Sequence, residues 1–276
     1  MVAFRTIRWI RTVSDNRPAF PSNAQYCPDK LAPTQEQKAA MKMQTGPDHA
    51  QHNPTTNART VGWILIAGAT LSLGFAMAHP QLTAHELNAV LRQMIAGATF
   101  NGWVHGILMA LYVILAAGLL GFSRLLGLDR PLVSLGMVAY GVGIIAMVGA
   151  AVINGFALSL FAGRYAAVKP EQANAVAASI NAMGSISGAW AGVGAVASSM
   201  AILVWSVTLL RFGGGWRVAG VIGMAIGAAT SVMLISGTII LNVHGFMLLI
   251  FSQSIWIVAI GYLLLGGAPN GNALQQ

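Results

Sequence analysis

Charge is what this sequence has least of. Of its 276 residues, 15 are Lys or Arg and 7 are Asp or Glu, and the 8% charged fraction stands against 56% hydrophobic. A soluble domain carries about 25% charged residues, so most of this surface cannot be facing water. The scarcity is sharper beyond the first 59 residues. From residue 60 onward the only acids are Glu86, Asp129 and Glu171, and each falls in a connector between apolar blocks. No Asp, Glu, Lys or Arg falls inside a block. That excludes a carboxylate proton relay, an arginine voltage sensor and carboxylate-coupled transport. It also removes paired acids and a Ser-His-Asp arrangement with its Asp in the bilayer. The single cysteine, Cys27, excludes an intramolecular disulfide and a Cys-pair metal site. There is no Gly-rich loop ending in GK[ST] and no His-Glu-x-x-His. With these motifs missing, the balance leans toward a chain that is not an enzyme.

What is present is apolar sequence in long blocks. A helix needs about 20 residues to cross a ~30 Å hydrocarbon layer. Six segments qualify: 60–78, 102–122, 132–161, 187–210, 218–241 and 243–265. The expected fold is an all-α six-helix transmembrane bundle over 60–266, with short interfacial helices at 83–98 and 170–182. Ahead of it lies a tail over 1–59, rich in Pro, Gln, Asn and Thr, which composition reads as loosely ordered. A short tail over 267–276 follows. Residues 1–13 place Arg5, Arg8 and Arg11 opposite Ile7, Trp9, Ile10 and Val13. That pattern suits an anionic bilayer surface or a targeting segment; translation from Met41 or Met43 is the alternative expectation. Positive residues favour the cytoplasmic side of short loops. Arg59, Arg124, Arg130, Arg211 and Arg217 fall on one side, and Arg92, Arg164 and Lys169 on the other. The balance predicts both termini in the cytoplasm, in a bacterial inner membrane. No basic patch interleaved with aromatics points to nucleic acid.

Two segments align without gaps. HELNAVLRQMIAGATFNGWVHG begins at His85 and EQANAVAASINAMGSISGAWAG at Glu171. The shared positions include Asn88/Asn174, Ala96/Ala182, Gly102/Gly188 and Gly106/Gly192. A duplicated unit of one interfacial helix and two spans returns to its starting side. The copies would therefore be parallel, not inverted.

Lipid supplies no hydrophobic drive between helices, so close packing falls to small residues. Gly184, Gly188 and Gly192 form one stripe and Gly223 and Gly227 another. Both are expected helix-packing seams, within the chain or toward a second copy or a membrane-complex partner. Asn154 is the polar residue expected at depth, bonded to a neighbouring helix. Four histidines fall at the end opposite the arginine-rich loops: His79, His85, His105 and His244. They are candidate metal ligands, and His105 with His244 candidate haem ligands. Histidine also sits well at a lipid–water boundary, which explains all four with no cofactor, and that is the preferred expectation. Three functions stay open: an accessory or small-molecule permeation protein, a metal- or haem-binding protein, and a transporter of two parallel halves.

Overall fold

A chain in hydrocarbon has to satisfy its backbone within each segment, and a helix does so. In the computed structural model the described residues are 54–80, 83–238 and 243–269, together with Gln35. The expectations for residues 1–34 and 36–53 and for 270–276 lie outside the described residues. The helices are α1 (Pro54–Met77), α2 (Leu87–Leu126), α3 (Pro131–Val152), α4 (Leu158–Arg164), α5 (Ala173–Leu209), α6 (Gly214–Ile235) and α7 (Val243–Leu265). A π turn, Ile153–Ala157, joins α3 to α4, and a 3₁₀ turn, Pro170–Gln172, precedes α5. No strand occurs among the described residues. Among the described residues, six segments are long and apolar enough to cross a membrane: Asn57–Met77, Leu87–Leu126, Pro131–Arg164, Pro170–Leu209, Gly214–Ile235 and Gly245–Leu265. Val113, Val138, Ile145, Val218, Val232 and Tyr262 stand exposed on their outer faces. Apolar surface on this scale belongs against lipid. The fold is that of an integral membrane protein.

Two expected boundaries shift. The connectors 83–98 and 170–182 are not separate from the spans after them. From Leu87 the helix runs unbroken for 40 residues, and from Ala173 for 37. No proline or paired-glycine break interrupts either run, so the backbone ladder continues. At 1.5 Å per residue, α2 is about 60 Å long, twice the hydrocarbon thickness. The second shift concerns the turn before α7. The sequence favours a turn at 241–245, but α6 already ends at Ile235, and Gly237 follows at φ 70° with its N–H donated to Leu234 O. Glycine takes that left-handed geometry without a Cβ penalty and closes the helix.

The six spans alternate in direction, α3 and α4 counting as one, so the bundle has two ends. One carries Arg59, Arg124, Arg130, Arg211 and Arg217; the other carries His79 and the starts of α2 and α5. The main hydrophobic cluster includes Leu65, Leu119, Phe122, Val133, Trp205, Leu209, Trp256 and Ile260. A smaller one, Leu91, Met94, Ala162 and Val176, ties the projecting start of α2 to α4 and α5.

Glycines set the helix spacing, though not all the expected ones do. A Cβ on Gly223 would fall 2.1 Å from Ser206 Oγ and from Trp256 Nε1, and one on Gly227 2.7 Å from Ser199 O. That stripe holds α6 against α5. For the Gly184, Gly188 and Gly192 stripe, the in-chain seam is corrected at Gly184 and Gly188. Gly184 and Gly188 have nothing within 4 Å of an added Cβ, and Gly192 lines a shallow surface groove with Val193 and Leu234. The α3–α5 seam runs instead through Gly143 and Gly194, each approaching the other's carbonyl oxygen. Rotation along α5 explains this: Gly194 lies two residues past Gly192, on a different face. Gly62 and Gly261 make the matching contact between α1 and α7.

Candidate functional site

His105 lies eighteen residues into α2, where the helix enters the bundle, and is only 4% exposed. Its ring packs on Gly155 of the π turn, where an added Cβ would fall 2.5 Å from His105 Cβ and 2.7 Å from Cγ. One turn earlier, Asn101 Nδ2 donates to Asn154 O at 2.7 Å. A π turn widens the helix and frees backbone carbonyls from their usual partners. Here the Asn101 amide takes one of them. In the aligned segment the position matching Asn101 is Ser187, whose hydroxyl donates to Ala150 O at 3.3 Å, one turn earlier on α3.

His79 follows α1 and is half-buried beside His105. The two rings meet edge to face, with centroids 4.8 Å apart and planes at 74°. Their Nε2 atoms are 3.2 Å apart. The outer nitrogens fix the tautomers. His105 Nδ1 lies 2.9 Å from Asn101 O, and His79 Nδ1 2.9 Å from Pro80 O. A carbonyl only accepts, so each Nδ1 must carry the proton. In a neutral imidazole the other nitrogen is then bare. At 3.2 Å the two Nε2 atoms therefore either share one added proton or leave two lone pairs close together. Burial pushes the His79 pKa down, and its bond to Pro80 O partly offsets this.

Cavities flank the pair. The outer one, about 650 Å³, is lined by His79, Met94, Asn101, Asn154 and Leu158 among others. The inner one, about 230 Å³, is lined by His79, His105, Tyr112, Met147, Asn154 and Ser187 among others. A third space of about 60 Å³ lies deeper and shares Leu108, Tyr112 and Met147 with the inner cavity. Its polar lining is Ser72, Tyr140, Ser198, Gln253 and Ser254. Gln253 Nε2 donates to Ser198 Oγ at 3.0 Å and Ser199 Oγ at 3.1 Å. Gly184 and Gly188 belong to this hollow: their missing side chains leave the wall of the inner cavity open. Below Gln253 the deep space meets Trp256, and Trp205 and Phe122 pack against that ring, all three fully buried. The tryptophan rings are parallel with centroids 6.4 Å apart, and Phe122 meets both edge-on. Their N–H groups are spent on Val133 O and Ala219 O.

Of the four histidines, the structure brings together His79 and His105. His85 is corrected: it is exposed and precedes α2, about 27 Å of helix from His105. The side chain of His244 lies outside the described residues, although Phe246 and Met247 after it line the inner cavity. Asn154 lines both larger cavities, and it is its backbone carbonyl that bonds Asn101. Sequence reasoning missed Asn101 and Gln253. The signal for Gln253 was there, in Ser252-Gln253-Ser254 at the middle of an otherwise apolar span. No group of three or more His, Cys, Asp or Glu suited to a metal occurs among the described residues. No family model, curated protein or solved structure matches this chain.

Proposed function

We propose that the chain is a non-enzymatic membrane protein that admits a small, uncharged, partly polar molecule from its histidine end. The observation that carries this is the run of adjoining cavities from His79 to Gln253, blind at the tryptophan pair. Ligand pockets are apolar with a few placed polar groups, and this recess has that make-up. In the deep space, apolar walls from Leu108, Leu115 and Ile257 carry hydroxyls and the Gln253 amide, and imidazoles and asparagines stand nearer the mouth. Among the described residues no charged one lines any of the three spaces, so an ionised solute would lose its hydration with no countercharge there to replace it. The arginine distribution supports an orientation with the arginine end in the cytoplasm and the recess opening away from it. In this conformation the bundle binds; passage to the far side would require the aromatic plug to part.

Thiol accessibility tests the reading. In a Cys27→Ser background, Ser187→Cys, Ser72→Cys and Ser206→Cys sample the inner cavity, the deep space and the dense core. A small water-soluble methanethiosulfonate added to liposomes should modify the first quickly, the second more slowly and the third hardly at all. Equal protection of Ser72→Cys and Ser206→Cys would sink the proposal.

A further inference from the structure

The histidine pair poses a problem that the recess does not solve. With both Nδ1 protons given to carbonyls, two Nε2 atoms 3.2 Å apart call for one positive charge between them, a shared proton or a metal ion. Neither ring can turn its N–H inward without giving up a carbonyl bond of 2.9 Å. We propose that the pair is a binding site for a soft monovalent transition-metal ion, Cu(I), held between Nε2 of His79 and Nε2 of His105.

Distance is the first argument. Two metal–imidazole bonds of about 2.0–2.1 Å that end 3.2 Å apart subtend an angle of about 100–105°, close to tetrahedral. The pair is therefore set for two ligands of a bent site, with further positions left to other donors. A haem is excluded for this pair. Its axial nitrogens must stand roughly 4 Å apart on opposite faces of the macrocycle, twice a metal–nitrogen bond.

Preparation is the second argument. Metal-bound histidines almost always donate their other N–H to a carbonyl or carboxylate, which fixes ring and tautomer. Both histidines already do so, to Pro80 O and Asn101 O. Asn101 is itself anchored to Asn154 O, and Gly155 leaves room for the His105 ring.

Charge and softness choose the ion. Among the described residues no acid lines the cavities beside the pair. The Born cost of burying an ion grows with the square of its charge, so a divalent ion with neutral ligands is far the more expensive. Met147 and Met247 line the inner cavity and Met94 the outer one. They offer thioethers, which favour Cu(I). Asn101 Oδ1, buried with no hydrogen-bond partner, is a further neutral donor at the outer cavity. The outer cavity gives an approach to the half-buried His79.

The test uses the full chain in detergent under reducing conditions, with Cys27→Ser so that the lone thiol does not compete. Cu(I) is titrated against a chromophoric Cu(I) chelator. One ion per chain is expected. His79→Ala and His105→Ala should each weaken binding at least about 100-fold, the upper range for losing even an outer-shell partner. His85→Ala and the tail pair His49→Ala/His52→Ala should leave it unchanged. X-ray absorption of the copper-loaded parent should show imidazole scattering, which His79→Ala diminishes. That arm stands if His105→Ala fails to fold. No stoichiometric Cu(I), binding that survives His79→Ala, or tighter Zn(II) than Cu(I) would each overturn the proposal. The thiol-labelling result is independent of all three.

Discussion

The two ends of this bundle solve the same packing problem differently. Toward the arginines, Trp205, Trp256, Phe122, Leu209 and Leu264 are buried to 0%, and both indole N–H groups are bonded to backbone. Toward the histidines, glycines face hollow space, a helix is widened by a π turn, and two nitrogens confront each other. Side-chain volume accounts for the contrast. The dense half alternates large rings with glycines that accept them. The hollow half has glycines with nothing opposite. Rigidity belongs to the first half and ligand space to the second.

The sharpest way to break that contrast is to empty the dense half. Trp205→Ala should cost about 3–5 kcal/mol, as for other fully buried tryptophans. Trp103→Ala, at a residue 68% exposed near the histidine end, should stay within about 0.5 kcal/mol. Detergent-solubilised unfolding midpoints give the comparison. Equal losses would mean the aromatic cluster is no core at all.

Filling the dense half should hurt nearly as much. Gly223→Ala puts a methyl where Ser206 Oγ and Trp256 Nε1 already are. The indole is tethered to Ala219 O and cannot swing away freely. Overpacking of this kind costs about 1–3 kcal/mol. Gly184→Ala meets nothing within 4 Å and should be silent in the same assay. A silent Gly223→Ala would show that α5 and α6 can part without penalty.

These pairs also show how far the sequence could be read. The six spans and the end on which each charge falls follow from residue type and block length alone, because hydrocarbon allows few alternatives. The Gly223/Gly227 seam was visible as a stripe. The stripe of Gly184, Gly188 and Gly192 looked the same, and it borders a cavity and a surface groove instead. Spacing tells which residues share a helix face; it does not tell what stands opposite. The same gap hid the site. His79 and His105 are 26 residues apart, and their meeting depends on where α1 ends and on a π turn 50 residues further on. Nothing local in Ile153–Ala157 announces that turn. Gln253 was legible in kind, as the one amide within the last span, but its partners on α5 are known only from packing.

Between the two halves sits Gln253, and its removal should matter less than either change above. Gln253→Leu takes away bonds to Ser198 and Ser199. Ser198 retains its bond to Ala195 O at 3.1 Å. Interhelical polar contacts in membranes average about 0.6 kcal/mol and reach about 1.7, so a loss near 1 kcal/mol is expected. A loss as large as that of Trp205→Ala would move Gln253 from the lining of a recess into the structural core.

The smallest effect on stability should come with the clearest effect on access. Gly188→Leu places a bulky side chain on the wall of the inner cavity, where no atom stands within 4 Å of the new Cβ. No contact is broken, so stability should change by no more than about 0.5 kcal/mol. The route from His105 to Ser72 passes this wall, through the space shared by Leu108, Tyr112 and Met147. Methanethiosulfonate labelling of Ser72→Cys should slow at least about tenfold, a barrier rise of about 1.4 kcal/mol. Labelling of an exposed cysteine in place of Ser185, on the outer side of α5, should keep its rate. If Gly188→Leu leaves the Ser72→Cys rate untouched, the deep space fills by another route. The hollow half would then be a set of separate packing gaps, and the contrast with the dense half would be one of degree.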